Sequence, residues 1–80
     1  MHFVYVIESI NFKKRYVGLT INIENRLKEH NAGKTTSNKA FRPYKLIYSE
    51  KVDSVFLARK REKYLKSAAG RSFLKKILAP

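Results

Sequence analysis

Cysteine is absent from this chain of 80 residues, so neither a disulfide nor a Cys-ligated zinc can reinforce the fold. Histidine occurs only at positions 2 and 30, too few for a structural zinc site built from His alone. Long apolar runs are also missing. The longest, Phe3–Ile7 (FVYVI), is far short of the roughly 20 residues that cross a bilayer. It is also shorter than the apolar region of a signal peptide, and no basic segment precedes it. No Pro-, Gly- or Ser-rich stretch marks a linker, and no internal repeat is visible. The expectation is one small, soluble, intracellular domain over residues 1–80, without a membrane partner. A fold of this length buries only roughly 60–65% of the unfolded chain's surface, close to the lower limit for a self-sufficient core.

Acidic residues are scarce. Six Asp and Glu stand against 18 Lys and Arg, a formal net charge of +12. Such an excess makes the compact chain repel itself, which points to a polyanionic partner. Nucleic acid is the commonest, because neutralising phosphates releases counterions. Disorder is excluded by five Tyr, five Phe and many β-branched residues, more than a disordered basic tail carries.

Residues 2–8 (HFVYVIE) read as a strand. Both alternating sets are apolar, Phe3, Tyr5 and Ile7 against Val4 and Val6, as in a central strand covered on both faces. Residues 15–19 (RYVGL) read as a second strand, joined to the first by a short antiparallel connection. Residues 22–32 read as a helix, with Thr20 or Asn22 capping its start and Gly33 just beyond its end. Residues 33–43 lack any period and read as an exposed basic loop carrying Lys34, Lys39 and Arg42 and ended by Pro43. Tyr44–Glu50 reads as a third strand. Asp53 or Ser54 starts a longer helix to about Ala68, Gly70 breaks it, and Ser72–Leu78 forms a short last helix. The order ββαβαα predicts an α+β fold, a small, mainly antiparallel three-stranded sheet flanked by helices.

Tyr5 and Tyr16 lie one in each strand of the hairpin. Taken alone they read as sheet aromatics. Gly18 adds weight, because a glycine within a strand often marks a bulge or a close approach. Arg26 and His30 are four apart and project from one helix face, beside the apolar Ile23 and Leu27. Their alternatives are a solvated helix edge or a groove border. There an Arg can hold a phosphate bidentately and a His can bind it or shuttle a proton. Glu62 falls in the helical ladder Val55, Ala58, Glu62, Leu65, Ala69, within the cationic run Arg59, Lys60, Arg61, Lys63 and Lys66. It reads either as a partner for Lys66 or as a lone carboxylate ligand for Mg²⁺, which retains waters and shares phosphate oxygens with a substrate.

Together these residues resemble the GIY-YIG nuclease family. Phe3-Val4-Tyr5 stands at its first signature element and Tyr16-Val17-Gly18 at its second. Arg26 and His30 follow on a helix, and Glu62 on a later one. The resemblance spans residues 3 to about 76 and looks most like the small stand-alone members. Phe3 replaces the first Gly and Val17 the Ile, both changes in packing. Leu19 stands where some members carry Lys. No Asn follows Asn38, so Ser72 is the nearest polar substitute for the family's C-terminal Asn.

The resemblance implies a DNA endonuclease dependent on Mg²⁺ or Mn²⁺, of the kind that serves repair or recombination. Glu62 would hold the metal against the scissile phosphate, and Arg26 would clamp that phosphate from the opposite side. A Tyr, Tyr5 in preference to Tyr16, would activate the attacking water, with the other Tyr and His30 orienting it or relaying its proton. A free phenol ionises near pH 10. Arg26, the metal and nearby cations would act to lower that value. Lys34, Lys39, Arg42, Lys60 and Lys66 would grip the backbone without reading bases, giving selectivity for structure or little specificity. A partner subunit would be a source of further specificity. Two other readings fit the charge. One is a binding module of the same fold that cleaves weakly or not at all. The other is a structural component such as a ribosomal protein.

Overall fold

A computed structural model describes residues 1–34 and 36–79. Strand β1 (His2–Ser9) is followed by β2 (Arg15–Thr20) and helix α1 (Ile23–Asn31). A 3-10 turn (Thr36–Phe41) leads into β3 (Tyr44–Val52), then α2 (Val55–Lys66) and α3 (Ala68–Leu78). The fold is α+β in the expected order, with one three-stranded antiparallel sheet in the spatial order β2-β1-β3.

The hydropathy of β1 explains its central place. Successive side chains point to opposite faces, and both faces of this strand are apolar, so both must be covered. Val4 and Val6 pack with Ala58, Leu65 and Leu74 under α2 and α3. Tyr5 and Ile7 pack with Tyr44 on the other face, with Ile23 and Leu27 of α1 against them. The sheet therefore separates two small cores.

A bulge breaks the register of β3 against β1. Val6 pairs with Tyr48, but the next residue, Ile7, pairs with Leu46. One extra residue, Ile47, inverts the alternation beyond it. Ile47 and Tyr48 thus both face α2 and α3, while Tyr44 is carried to the α1 side.

Helix α1 begins at Asn22, whose Oδ1 accepts the Asn25 N–H at 3.0 Å. It ends where Gly33 takes φ +79°. The Gly33 N–H reaches the His30 carbonyl and the Lys34 N–H the Glu29 carbonyl, which closes the last turn. The region expected as a loop over residues 33–43 contains the 3-10 turn, while Thr35 within it lies outside the described residues.

The last two helices divide differently from the expectation. The break falls at Ser67, which ends α2 and caps α3. Its hydroxyl donates to the Tyr64 carbonyl at 2.5 Å and accepts the Gly70 N–H at 3.2 Å. Gly70 is buried inside α3, not at a break. A β-carbon there would run into the Tyr64 carbonyl and the Leu65 backbone. The glycine serves close packing between helices.

Candidate active site

Tyr5 projects from the central strand on the α1 side and is 2% exposed. Its cross-strand neighbour is Gly18. The phenol lies across that glycine, so that a β-carbon at position 18 would stand 2.5 Å from the Tyr5 hydroxyl. The hairpin register is unbroken here. Gly18 therefore marks a close approach by a side chain and not a bulge.

The Tyr5 hydroxyl is hydrogen-bonded to His30 Nε2 at 2.8 Å. Either group can donate, according to the tautomer of the ring. His30 is completely buried rather than at a helix edge. Three tyrosines meet it edge-on, with ring centroids at 5.3 Å (Tyr16), 5.8 Å (Tyr5) and 6.2 Å (Tyr44). A buried imidazole among phenols is held in one orientation, with hydrogen-bonding groups at hand and little access for bulk water.

Arg26 lies one turn before His30 and occupies the border that was expected for both. Its guanidinium donates to Glu29 at 2.9 Å, and about a third of the side chain remains exposed. Burial raises the pKa of Tyr5 above the ordinary phenol value; Arg26 pulls it down through hydrogen bonding and charge, and Tyr16 and Glu62 push it up. Burial wins. The lowering expected from nearby cations is present at Arg26, but it does not set the direction.

Glu62 comes from α2, on the opposite side of the sheet from α1, yet its charge acts on Tyr5. It is half-buried and accepts from Lys66 Nζ at 3.1 Å. The ion pair with Lys66 read from the sequence is formed. Among the described residues no group of three or more His, Cys, Asp or Glu could cage a metal. His30 Nε2 is engaged by Tyr5. Glu62 by itself offers one carboxylate, which suits only a cation that completes its shell with water and substrate oxygens, as Mg²⁺ can.

The five expected backbone-gripping cations do not form one patch. Lys66 adjoins Glu62 and lines a groove with Arg15, Tyr16 and Arg71. Lys39 and Arg42 lie beside Gly33 at the end of α1, and exposed Lys34 follows that glycine. Lys60 is elsewhere: it shares a hollow with Glu50, Lys51 and Arg61, toward β3. Its ammonium sits 5.5 Å from the centre of the Phe56 ring.

Two residues of this site were not expected from the sequence. Tyr44 is 3% exposed and packs against His30. Asn31 fixes it there: the Asn31 Oδ1 accepts the Tyr44 N–H at 2.7 Å, and the Asn31 amide donates to the Tyr44 carbonyl at 3.1 Å. The side chain thereby bonds the start of β3 as a neighbouring strand would. An Asn in the last turn of a helix, where it is a poor helix former, was the available signal. The placement of Tyr44 had none, because it depends on the bulge.

The family model described as the GIY-YIG catalytic domain matches residues 1–76. A UPF0213 protein of Syntrophus aciditrophicus is 45% identical over 67 residues, covering 81% of this chain and 76% of the relative. A UPF0213 protein of Staphylococcus haemolyticus is 36% identical over 77 residues, covering 95% and 93%. A third, from Natronomonas pharaonis, is 37% identical over 67 residues, covering 82% and 78%. No solved structure matches the chain.

Proposed function

Because the chain belongs to the GIY-YIG catalytic-domain family, we propose that it is a divalent-metal-dependent endonuclease that hydrolyses phosphodiester bonds of DNA. One observation carries this reading. The buried Tyr5 hydroxyl is hydrogen-bonded to His30 Nε2 at 2.8 Å, and Arg26 stands one turn before His30 on the same helix, about a third of its side chain exposed. A pure binding surface has no use for a buried Tyr–His hydrogen bond.

In this reading Glu62 would hold Mg²⁺ or Mn²⁺, and the bound ion would supply Lewis-acid stabilisation of developing negative charge. Arg26 binds a non-bridging phosphate oxygen with the donors that Glu29 leaves available. Tyr5 accepts a proton from the attacking water while passing its own to His30 Nε2. Burial disfavours a free phenolate at this position, and such a relay avoids one. The water oxygen forms the new P–O bond as the bond to the 3′ oxygen breaks, and that oxygen takes a proton from solvent. The products are a 5′ phosphate and a 3′ hydroxyl. His30 then returns its extra proton through Tyr5, which releases one to solvent once the product has left. Tyr16, at the open side of the same cluster, orients the phosphate. Lys34, Lys39, Arg42 and Lys66 contact backbone phosphates; Lys60 would contact only a strand that extends toward β3.

The test is cleavage of linear, single-stranded and branched DNA with Mg²⁺ or Mn²⁺ and with EDTA, with Glu62→Ala purified in parallel. Cutting should require metal and fall about 10²–10³-fold in the variant, the range for loss of one transition-state-stabilising group. Equal cutting by both proteins overturns the assignment. DNA binding without cutting by the wild type favours a binding module of the same fold.

A further inference from the structure

The groove beside Glu62 is lined by cations from three elements: Arg15 of β2, Lys66 of α2 and Arg71 of α3. Its floor is apolar, formed by Val17, Leu65 and Leu74, and Tyr16 is one wall. The volume is about 200 Å³. That is room for a group much larger than one water.

The charges in this groove are unequal in their partners. Arg15 is paired with Glu8 at 2.9 Å and Lys66 with Glu62 at 3.1 Å. The other three glutamates are also engaged, Glu24 with Lys28, Glu29 with Arg26 and Glu50 with Arg61. Arg71 has no ion-pair partner among the described residues, yet it stands where two other cations converge. Of the three cations it is therefore the one with a charge still open to an external anion. A guanidinium over an apolar floor matches a phosphate joined to a sugar: the fork takes the oxygens, and the floor takes the ring.

We propose that this groove is a second phosphate subsite, with Arg71 as its binding residue, for the backbone phosphate next to the one cut on the same strand. The ligand class is a phosphodiester of a polynucleotide. The proposal rests on the nuclease reading for its position relative to the cut, but not for the binding itself.

Binding measured in EDTA separates the two claims, since it does not need cleavage. Fluorescence anisotropy would follow a labelled oligonucleotide over a range of salt concentrations for the wild type, Arg71→Ala, Arg71→Gln and Lys51→Ala. Arg71 is exposed, so thermal melts should show both of its variants folded, and Gln keeps most of the side-chain volume. Both should bind about tenfold more weakly, with the slope of log affinity against log salt reduced by about one. Lys51→Ala, at the opposite edge of the sheet, should keep the wild-type slope. A cutting assay then adds position: one neutral methylphosphonate beside the scissile phosphate should slow the wild type but not Arg71→Ala.

Wild-type affinity and slope in both Arg71 variants would overturn the subsite while leaving the nuclease reading intact. An equal loss in Lys51→Ala would also overturn it, as an effect of net charge. Binding that depends on Arg71, in a protein that never cuts, would leave the subsite standing and remove the nuclease reading. A wild type that binds no nucleic acid overturns both.

Discussion

Gly18 lies opposite Tyr5 in the antiparallel register, and its missing methyl group leaves room for the phenol to reach His30. The Tyr5 ring is enclosed, so it cannot swing aside cheaply when a β-carbon is added 2.5 Å from its oxygen. Gly18→Ala should therefore cost about 1–3 kcal/mol through overpacking. It should also break the 2.8 Å contact to His30. In the proposed mechanism this removes the proton relay, so cleavage should fall as far as in Tyr5→Phe while DNA binding persists. Paired melting and cleavage measurements check this, and an alanine variant with full activity would separate Tyr5 from the chemistry. His30 illustrates the same dependence on neighbours. Its place four residues after Arg26 set its helix face, but the three surrounding tyrosines decide that it is interior.

At the scale of elements, the junction of α2 and α3 shows how a small residue can be misread. Glycine is the poorest helix former after proline, so Gly70 looks like a break. In the structure Ser67 makes the break by capping α3, and Gly70 lets that helix approach the last turn of α2. In an open helix, glycine to alanine gains about 1 kcal/mol. Here the sign should reverse, because the added carbon meets the Tyr64 carbonyl and the Leu65 backbone, neither of which can rotate away. Gly70→Ala should lower the melting temperature, by about 4–8 °C for each kcal/mol lost in a domain of this size. A thermal melt decides it, and a rise in the midpoint would contradict the packing argument. The same junction places Arg71 on the groove that Lys66 also lines, so a shifted α3 should also weaken DNA binding.

For the whole molecule, the +12 charge and the buried phenols govern the response to solution conditions. Tyr5, Tyr44 and Tyr48 are each raised above the ordinary phenol value, in every case chiefly by burial. In the unfolded chain they ionise near pH 10; in the folded chain they hold their protons to higher pH. The unfolded state therefore binds fewer protons in that window, and these groups make stability fall as pH rises above about 10. Their contribution is fully present below that pH. Falling net charge relieves self-repulsion over the same range, so the readout is a difference. Denaturation midpoints for wild type and Tyr5→Phe should follow parallel pH profiles up to about 9. Above that the wild type should lose more stability than the variant, and parallel profiles throughout would contradict the burial argument.

The amino-acid order alone determined the α+β class and the central place of β1, because a strand apolar on both faces has to be covered on both. It bounded α1 between a cap at Thr20 or Asn22 and Gly33, because capping is chemistry local to the chain, and the structure assigns the cap to Asn22. It also placed Tyr5, Tyr16, Arg26, His30 and Glu62 on their elements, since spacing within a helix or hairpin is a local property. What joins these residues is non-local. The extra residue Ile47 turns Tyr44 toward His30, and Asn31 bonds its backbone. Glu62 acts on Tyr5 from across the sheet, Lys60 lies toward β3, and Arg71 completes a groove with residues from two other elements. Such contacts are decided by a bulge, a helix junction and the side on which each helix packs. Each depends on how separate elements share one small interior, and only the folded chain brings those elements together.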